Sequence, residues 1–130
     1  APSSVNSLYS SFMYKPAYFK QAGGFSLSYS PVGEKEDTDM CLRVRLLKGR
    51  LIFVPEAFAW HFKAPMGGTR NMSQEARNNH FQADYNNFIS RVKLIQKKEF
   101  DWQNEIENNL KSFEKYLAIE DSAAGIIDNL

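Results

Sequence analysis

The spacing of apolar and polar positions changes near residue 70. Before it, short apolar runs alternate with Gly and Pro. After it the chain is polar and rich in Asn and Lys, with apolar residues at helical intervals. Phe81, Tyr85, Phe88, Val92 and Ile95 recur at steps of four and three, which predicts one apolar stripe on a helix. Trp102, Ile106, Leu110, Phe113 and Leu117 repeat the pattern. A helical hairpin is therefore expected from about Ser73, packed on the preceding part or on a partner. The closing "DSAAGIIDNL" is expected to fray.

Upstream, residues 1–14 mix Ser with aromatics and favour extended structure. "KPAYFKQAGG" reads as a short helix, with Pro16 in its first turn and the Gly23–Gly24 pair ending it. "FSLSYSPVGEKE" alternates up to Ser30 and then becomes loop. The clearest helix runs from Asp37 to Lys48, with Asp37 or Thr38 as N-cap. Acids open it, Arg43, Arg45 and Lys48 follow as the macrodipole favours, and Gly49 suits the C′ position. "RLIFV" reads as a buried strand, interrupted by Pro55 and Glu56. "AFAWHF" then alternates, with Phe58, Trp60 and Phe62 on one face and Ala57, Ala59 and His61 on the other. The fold class expected is α+β over residues 1–70, followed by a C-terminal helical hairpin over 71–130.

Composition narrows the picture. With 130 residues the chain suits one modest core. A formal charge of +1 gives no electrostatic footprint for nucleic acid or an anionic membrane. Cys41 is the only cysteine, which excludes an internal disulfide and suits a reducing, cytoplasmic setting. No apolar run approaches the about 20 residues of a membrane span, and no signal peptide is visible. The chain begins with Ala1, not Met, which is expected if it is part of something longer.

Three stretches carry candidate chemistry. "DTD", residues 37–39, has the spacing with which two carboxylates approach one divalent cation. A charged loop precedes it and a helix follows, a context that suits a carboxylate held at a helix N-terminus beside a cleft. Acids at helix starts are also common as capping groups with no further role. His61 shares a strand face with two alanines, which leaves room for a ligand or metal; a lone strand histidine is more often structural. In "KAPMGGTR", Gly67 and Gly68 would let backbone N–H groups face an anion between Lys63 and Arg70, or would simply form a connector. His80 is expected to face solvent, and Cys41 to be a buried thiol.

The order of these elements is more specific than any one of them. A helix ending in "AGGF", a variable loop and "EDTDMCLRVRLLKGRLIFVPEAFAWH" closely resemble the C-terminal half of the catalytic domain of family-2 glycosyltransferases, which have the α/β GT-A fold. The matching residues are Gly23, Gly24, Phe25, Glu36, Asp37, Arg43, Gly49, Pro55 and His61, within roughly residues 5–70. The resemblance implies an inverting enzyme that moves a sugar from a nucleotide-diphosphate donor to an acceptor hydroxyl. Asp37 would be the general base and Glu36 would orient the acceptor or the base. His61 would help hold Mg²⁺ or Mn²⁺ on the donor diphosphate. Gly23, Gly24 and Phe25 would line the acceptor side, and the loop of Gly67, Gly68 and Arg70 would fold over the donor.

The family's N-terminal half, with its nucleotide-binding strands and true D-x-D, has no counterpart in this sequence. The chain is thus expected to be a fragment that pairs with that half, inactive by itself and prone to self-association. A membrane anchor, where such enzymes have one, often lies outside the catalytic core. The rival reading is a non-enzymatic interaction module, its acids and His61 structural and its helical hairpin a docking element.

Overall fold

A computed structural model describes residues 1–5, 15–60, 65–112 and 114. The described part is helix-rich with one small sheet, a mixed α+β arrangement. In chain order it contains β1 (Ser3–Ser4), α1 (Pro16–Ala22), α2 (Glu36–Leu46), β2 (Ile52–Phe53), a 3-10 turn (Gly68–Asn71) and α3 (Gln74–Gln96). A further helix, α4, covers residues 102–112.

α1 starts at Pro16, where a missing N–H is harmless, and ends at Gly23 in the left-handed region (φ 82°). The Gly23 and Gly24 amides close the helix on the carbonyls of Lys20 and Phe19, at 3.0 and 2.9 Å. Gly23 serves packing as well: a Cβ there would stand 2.7 Å from Cγ1 of Ile106 on α4. The apolar core is small. Phe19 and Ala22 of α1 pack on Met40 of α2, with Val44 against them.

α2 begins one residue earlier than expected and ends two earlier. Its N-cap is Lys35, which makes no side-chain cap, so neither Asp37 nor Thr38 caps it. Its acids all lie inside the first turn. At the other end Lys48, not Gly49, takes the left-handed conformation (φ 61°). Gly49 is needed for space instead: a Cβ would lie 2.6 Å from Val44 Cγ1 and 2.8 Å from its carbonyl oxygen.

The strands depart most from expectation. β1 and β2 pair antiparallel, Ser3 with Phe53 and Ser4 with Ile52. Leu51 is buried, but Ile52, Phe53 and Val54 are exposed, so "RLIFV" is not a buried strand. Residues 57–60 form no strand. Pro55 has no N–H for a ladder, and a turn carries the Ala57 amide back to the Val54 carbonyl (3.1 Å). The alternation of Phe58 and Trp60 is real in sequence but meets no sheet here. Phe62 lies outside the described residues.

Two helices, α3 and α4, follow residue 70 among the described residues, and Ser73 caps α3 by accepting from the Ala76 amide at 3.1 Å. Asp101 caps α4 by accepting from the Asn104 amide at 3.1 Å. The expected apolar stripe of α3 is not its most buried face. Phe81, Phe88, Val92 and Ile95 are half-buried and Tyr85 is exposed, whereas Asp84 and Arg91 are buried. On α4, Trp102, Ile106 and Leu110 are half-buried and Asn109 is buried. Phe113 and Leu117 lie outside the described residues. Among the described residues no helix is long and apolar enough to cross a membrane.

Candidate functional site

α2 carries five acidic or basic side chains, Glu36, Asp37, Asp39, Arg43 and Arg45, of which Asp39 and Arg43 are buried. Asp39 and Arg43 lie one turn apart, which puts them on the same face. Asp39 has no solvent exposure, and its Oδ2 accepts from Arg43 Nε at 2.9 Å. Arg91 arrives from α3 and closes on the same carboxylate, Nε to Oδ1 at 2.8 Å and Nη2 to Oδ2 at 3.2 Å. Arg91 Nη2 also donates to Glu105 Oε1 on α4 at 2.8 Å. One buried carboxylate thus holds α2 to α3, and one guanidinium holds α3 to α4.

Aromatic faces complete the enclosure. The Arg91 guanidinium lies 4.7 Å from the Phe100 ring centre and 5.8 Å from that of Tyr29, distances at which a cation is attracted to a ring. Burial, and then the charge of Asp39, push the Tyr29 hydroxyl well above its ordinary pKa. Burial opposes the charge on Arg91, but the hydrogen bonds to Asp39 and Glu105 overcome it and hold the guanidinium protonated more firmly than usual. Burial lowers the Arg43 pKa, with Asp39 opposing; a guanidinium so placed keeps its charge.

A second set of polar contacts fixes the loop that leads into α2. Asp84 on α3 accepts from the Ser30 amide at 2.7 Å, the Ser30 hydroxyl at 2.8 Å and the Glu34 amide at 3.1 Å. Asn87 donates to the Ser28 carbonyl at 3.1 Å, and Asn109 accepts from the Leu27 amide at 3.1 Å. Asp84, Asn87 and Arg91 follow one another at steps of three and four, so one face of α3 grips residues 28–39. Every one of these side chains lies beyond residue 70, and the sequence reading had assigned none of them. The only signal in sequence is their helical spacing, concealed by the apolar stripe beside them.

The first turn of α2 is a different environment. Asp37 is half-buried and forms no ion pair among the described residues. Its Oδ1 accepts from the Thr38 amide at 2.6 Å and, more weakly, from the Thr38 hydroxyl at 3.3 Å. Glu36 is half-buried too, with Oε2 enclosed and without a hydrogen-bond partner. Burial, and then the nearby charges of Asp37, Asp84 and Glu34, raise its pKa above the usual carboxylate value, while its own backbone amide opposes the rise. The two acids thus sit side by side on a helix whose later turns are immobilised by the Asp39 ion pairs.

The remaining expected site residues that are described have surroundings of their own. Gly23 and Gly24 are buried, covered by Ile106 and by the Phe19 ring. Phe25 is exposed on one side and meets Phe19 edge-on at 5.8 Å. Gly67 and Gly68 have positive φ angles of 103° and 54°, and among the described residues no atom beyond the adjoining residues lies within 4 Å of where a Cβ would be. The Gly67 amide donates to Asn71 Oδ1 at 3.1 Å, and Arg70 is exposed. His61 and Lys63 lie outside the described residues. His80 is half-buried on α3. Among the described residues no three His, Cys, Asp or Glu side chains stand together as a metal site.

Arg43 has one further property. Its Nη1 donates to the Ala22 carbonyl on α1, but its Nη2 is enclosed and has no partner. An unsatisfied buried donor costs about 1–3 kcal/mol. The residue lines an open cavity of about 450 Å³ between α1, α2, the end of α3 and α4. The chain matches no protein-family model, no curated protein and no solved structure.

Proposed function

We propose that this chain is the acceptor-side part of an inverting GT-A glycosyltransferase, with Asp37 as general base. The observation that supports the reading is the division of labour on α2. Asp39 is consumed by Arg43 and Arg91 at 2.8–2.9 Å, whereas Asp37, two residues earlier, pairs with no cation among the described residues. A base must be both fixed and unneutralised. Asp37 meets both conditions because it sits in the first turn of an anchored helix.

The acceptor hydroxyl oxygen forms a bond to the anomeric carbon as the bond from that carbon to the nucleotide diphosphate breaks. Asp37 takes the hydroxyl proton as the new bond forms, a step in which a positioned base contributes about 10²–10⁴-fold. Glu36, with its raised pKa, orients the acceptor or the base. A Mg²⁺ or Mn²⁺ on the donor diphosphate supplies charge neutralisation when bound, with His61 the residue assigned to it. The described residues do not by themselves form that site. The chain's partners in this reading are the donor-binding half of the same domain, the nucleotide sugar and the acceptor.

The test is transfer from a panel of nucleotide sugars by the protein that carries this chain. Asp37→Asn is expected to reduce turnover by about 10²–10⁴-fold while nucleotide affinity stays the same. Turnover equal to the parent's would remove Asp37 from the chemistry. One observation favours the interaction-module reading: Phe58, Trp60 and Met66 are 79%, 81% and 78% exposed, as side chains awaiting a partner would be. In that case no nucleotide sugar is consumed, and Asp37→Asn leaves partner capture unaltered.

A further inference from the structure

We propose that the groove between α3 and the two residues that lead into α2 binds a neutral carbohydrate. The assignment stands on the lining of the groove and rests on no part of the transfer reading. One wall is Asn78, Phe81, Gln82 and Tyr85 of α3, and the other is Glu34 and Lys35. Steps of three, one and three put the four α3 residues on one face of the helix. Asp84, which lies between Phe81 and Tyr85 in the chain, is buried and accepts from the Glu34 amide at 3.1 Å, so it ties the two walls together. The groove is open and holds about 370 Å³, within the range of small-molecule sites, about 300–1,000 Å³.

The lining selects the ligand by its chemistry. Phe81 is half-buried and Tyr85 is 49% exposed, so the groove offers ring surface from two successive turns. Amides flank the rings. Asn78 accepts through Oδ1 from Gln74 at 2.8 Å, and Gln82 donates through Nε2 to Asn86 at 3.0 Å. The Asn78 amide nitrogen is left as a donor and Gln82 Oε1 as an acceptor, neither with a partner among the described residues. Glu34 and Lys35 pair with each other at 3.4 Å, so the groove carries no net charge. A sugar ring matches this set, because its C–H face is apolar and each hydroxyl on its rim both donates and accepts. An anionic ligand would have to draw Lys35 away from Glu34. A hydrocarbon would strip water from the two amides and pair with neither.

The full chain is applied to an array of neutral and uronate-containing oligosaccharides, and the strongest neutral binder is titrated by calorimetry. Saturable one-to-one binding is expected, weakened by about tenfold in Tyr85→Ala and by about threefold in Gln82→Ala. Both positions are exposed on α3, so the variants keep the fold. Tyr85→Phe keeps the ring and is expected to restore most of the affinity lost in Tyr85→Ala. Trp60→Ala, outside the groove lining, is expected to bind like the parent. Binding to no neutral oligosaccharide, binding confined to the uronates, or an unaltered affinity in Tyr85→Ala would each overturn the proposal. So would loss of binding in Trp60→Ala, which would place the sugar on the exposed rings instead.

Discussion

Around Asp39 the chain buries charge, and around Phe58 and Trp60 it exposes aromatic rings. Arg43, Asp39 and Asp84 are among the most completely buried side chains of the described fold, while Phe58 and Trp60 are among its most exposed. Burying one large apolar side chain contributes about 1.5–3 kcal/mol, so residues 57–60 forgo a stabilisation that the apolar pattern offers. A buried ion pair is often no more stabilising than a packed apolar pair, so the Asp39 cluster does not stand out by net energy. What distinguishes the two regions is completeness. The charges around Asp39 find their counter-charges within the chain. The rings find no cover among the described residues. The first region is a charge-paired joint that fixes how α2, α3 and α4 meet, with Arg43 Nη2 a donor left without a partner among the described residues. The second is a surface left open among the described residues, which the proposed fragment reading would cover with neighbouring strands and the module reading with a partner.

The strongest way to break this contrast is to remove the joint's central charge. Asp39→Asn leaves Arg43 and Arg91 buried without their shared anion, and a loss of about 3–5 kcal/mol is expected in urea unfolding. A loss under about 1 kcal/mol would mean that water reaches the joint. Asp84→Ala removes the acceptor of three hydrogen bonds and frees the loop before α2. A loss of about 1.5–3 kcal/mol is expected, with faster amide exchange at Ser30 and Glu34 and little change within α4.

The pH dependence separates Glu36 from the joint. Its folded pKa lies above the unfolded value, so ionisation weighs against the fold once pH exceeds the unfolded pKa, about 4.3. That penalty is complete above the folded pKa and absent well below the unfolded one. Glu36→Gln is therefore expected to raise the urea midpoint at pH 7 and leave it unaltered near pH 3.5. Glu105 has the opposite sign. Burial alone would raise its pKa, but hydrogen bonds from Arg91, Ser26 and Asn109 hold it below the usual value. Its contribution is present above the unfolded pKa and fades as pH falls through the folded one.

The smallest effect on stability is expected in the exposed region. Phe58→Ser with Trp60→Ser should alter the unfolding free energy by no more than about 0.5 kcal/mol. The same pair should lower self-association in light scattering across a concentration series. A large destabilisation would show that these rings are covered within the chain itself. Unaltered association would place the contact elsewhere.

Local chemistry was legible in the sequence. Pro16 and Gly23–Gly24 bounded α1, the acids and arginines marked α2, and Ser73 and the periodic aromatics announced α3. Each of these signals acts within a turn or two of chain. Where a local rule was satisfied by the wrong neighbour, as when Lys48 rather than Gly49 turned left-handed, the deciding contact was steric, with the Val44 backbone and side chain filling the space of a Cβ at Gly49. The arrangement of the charged groups was not legible. Arg43 lies one turn from Asp39 and was open to pairing with it, but Arg91 is 52 residues away and Glu105 a further 14. A hydrophobic period reports which face of a helix is apolar, not which polar residue will meet its counter-charge there. The apolar stripes and helix signals were therefore decided by sequence. Which carboxylate on α2 would be neutralised, and which left unpaired, was decided only when α3 packed across it, because a buried charge survives only where folding delivers its partner.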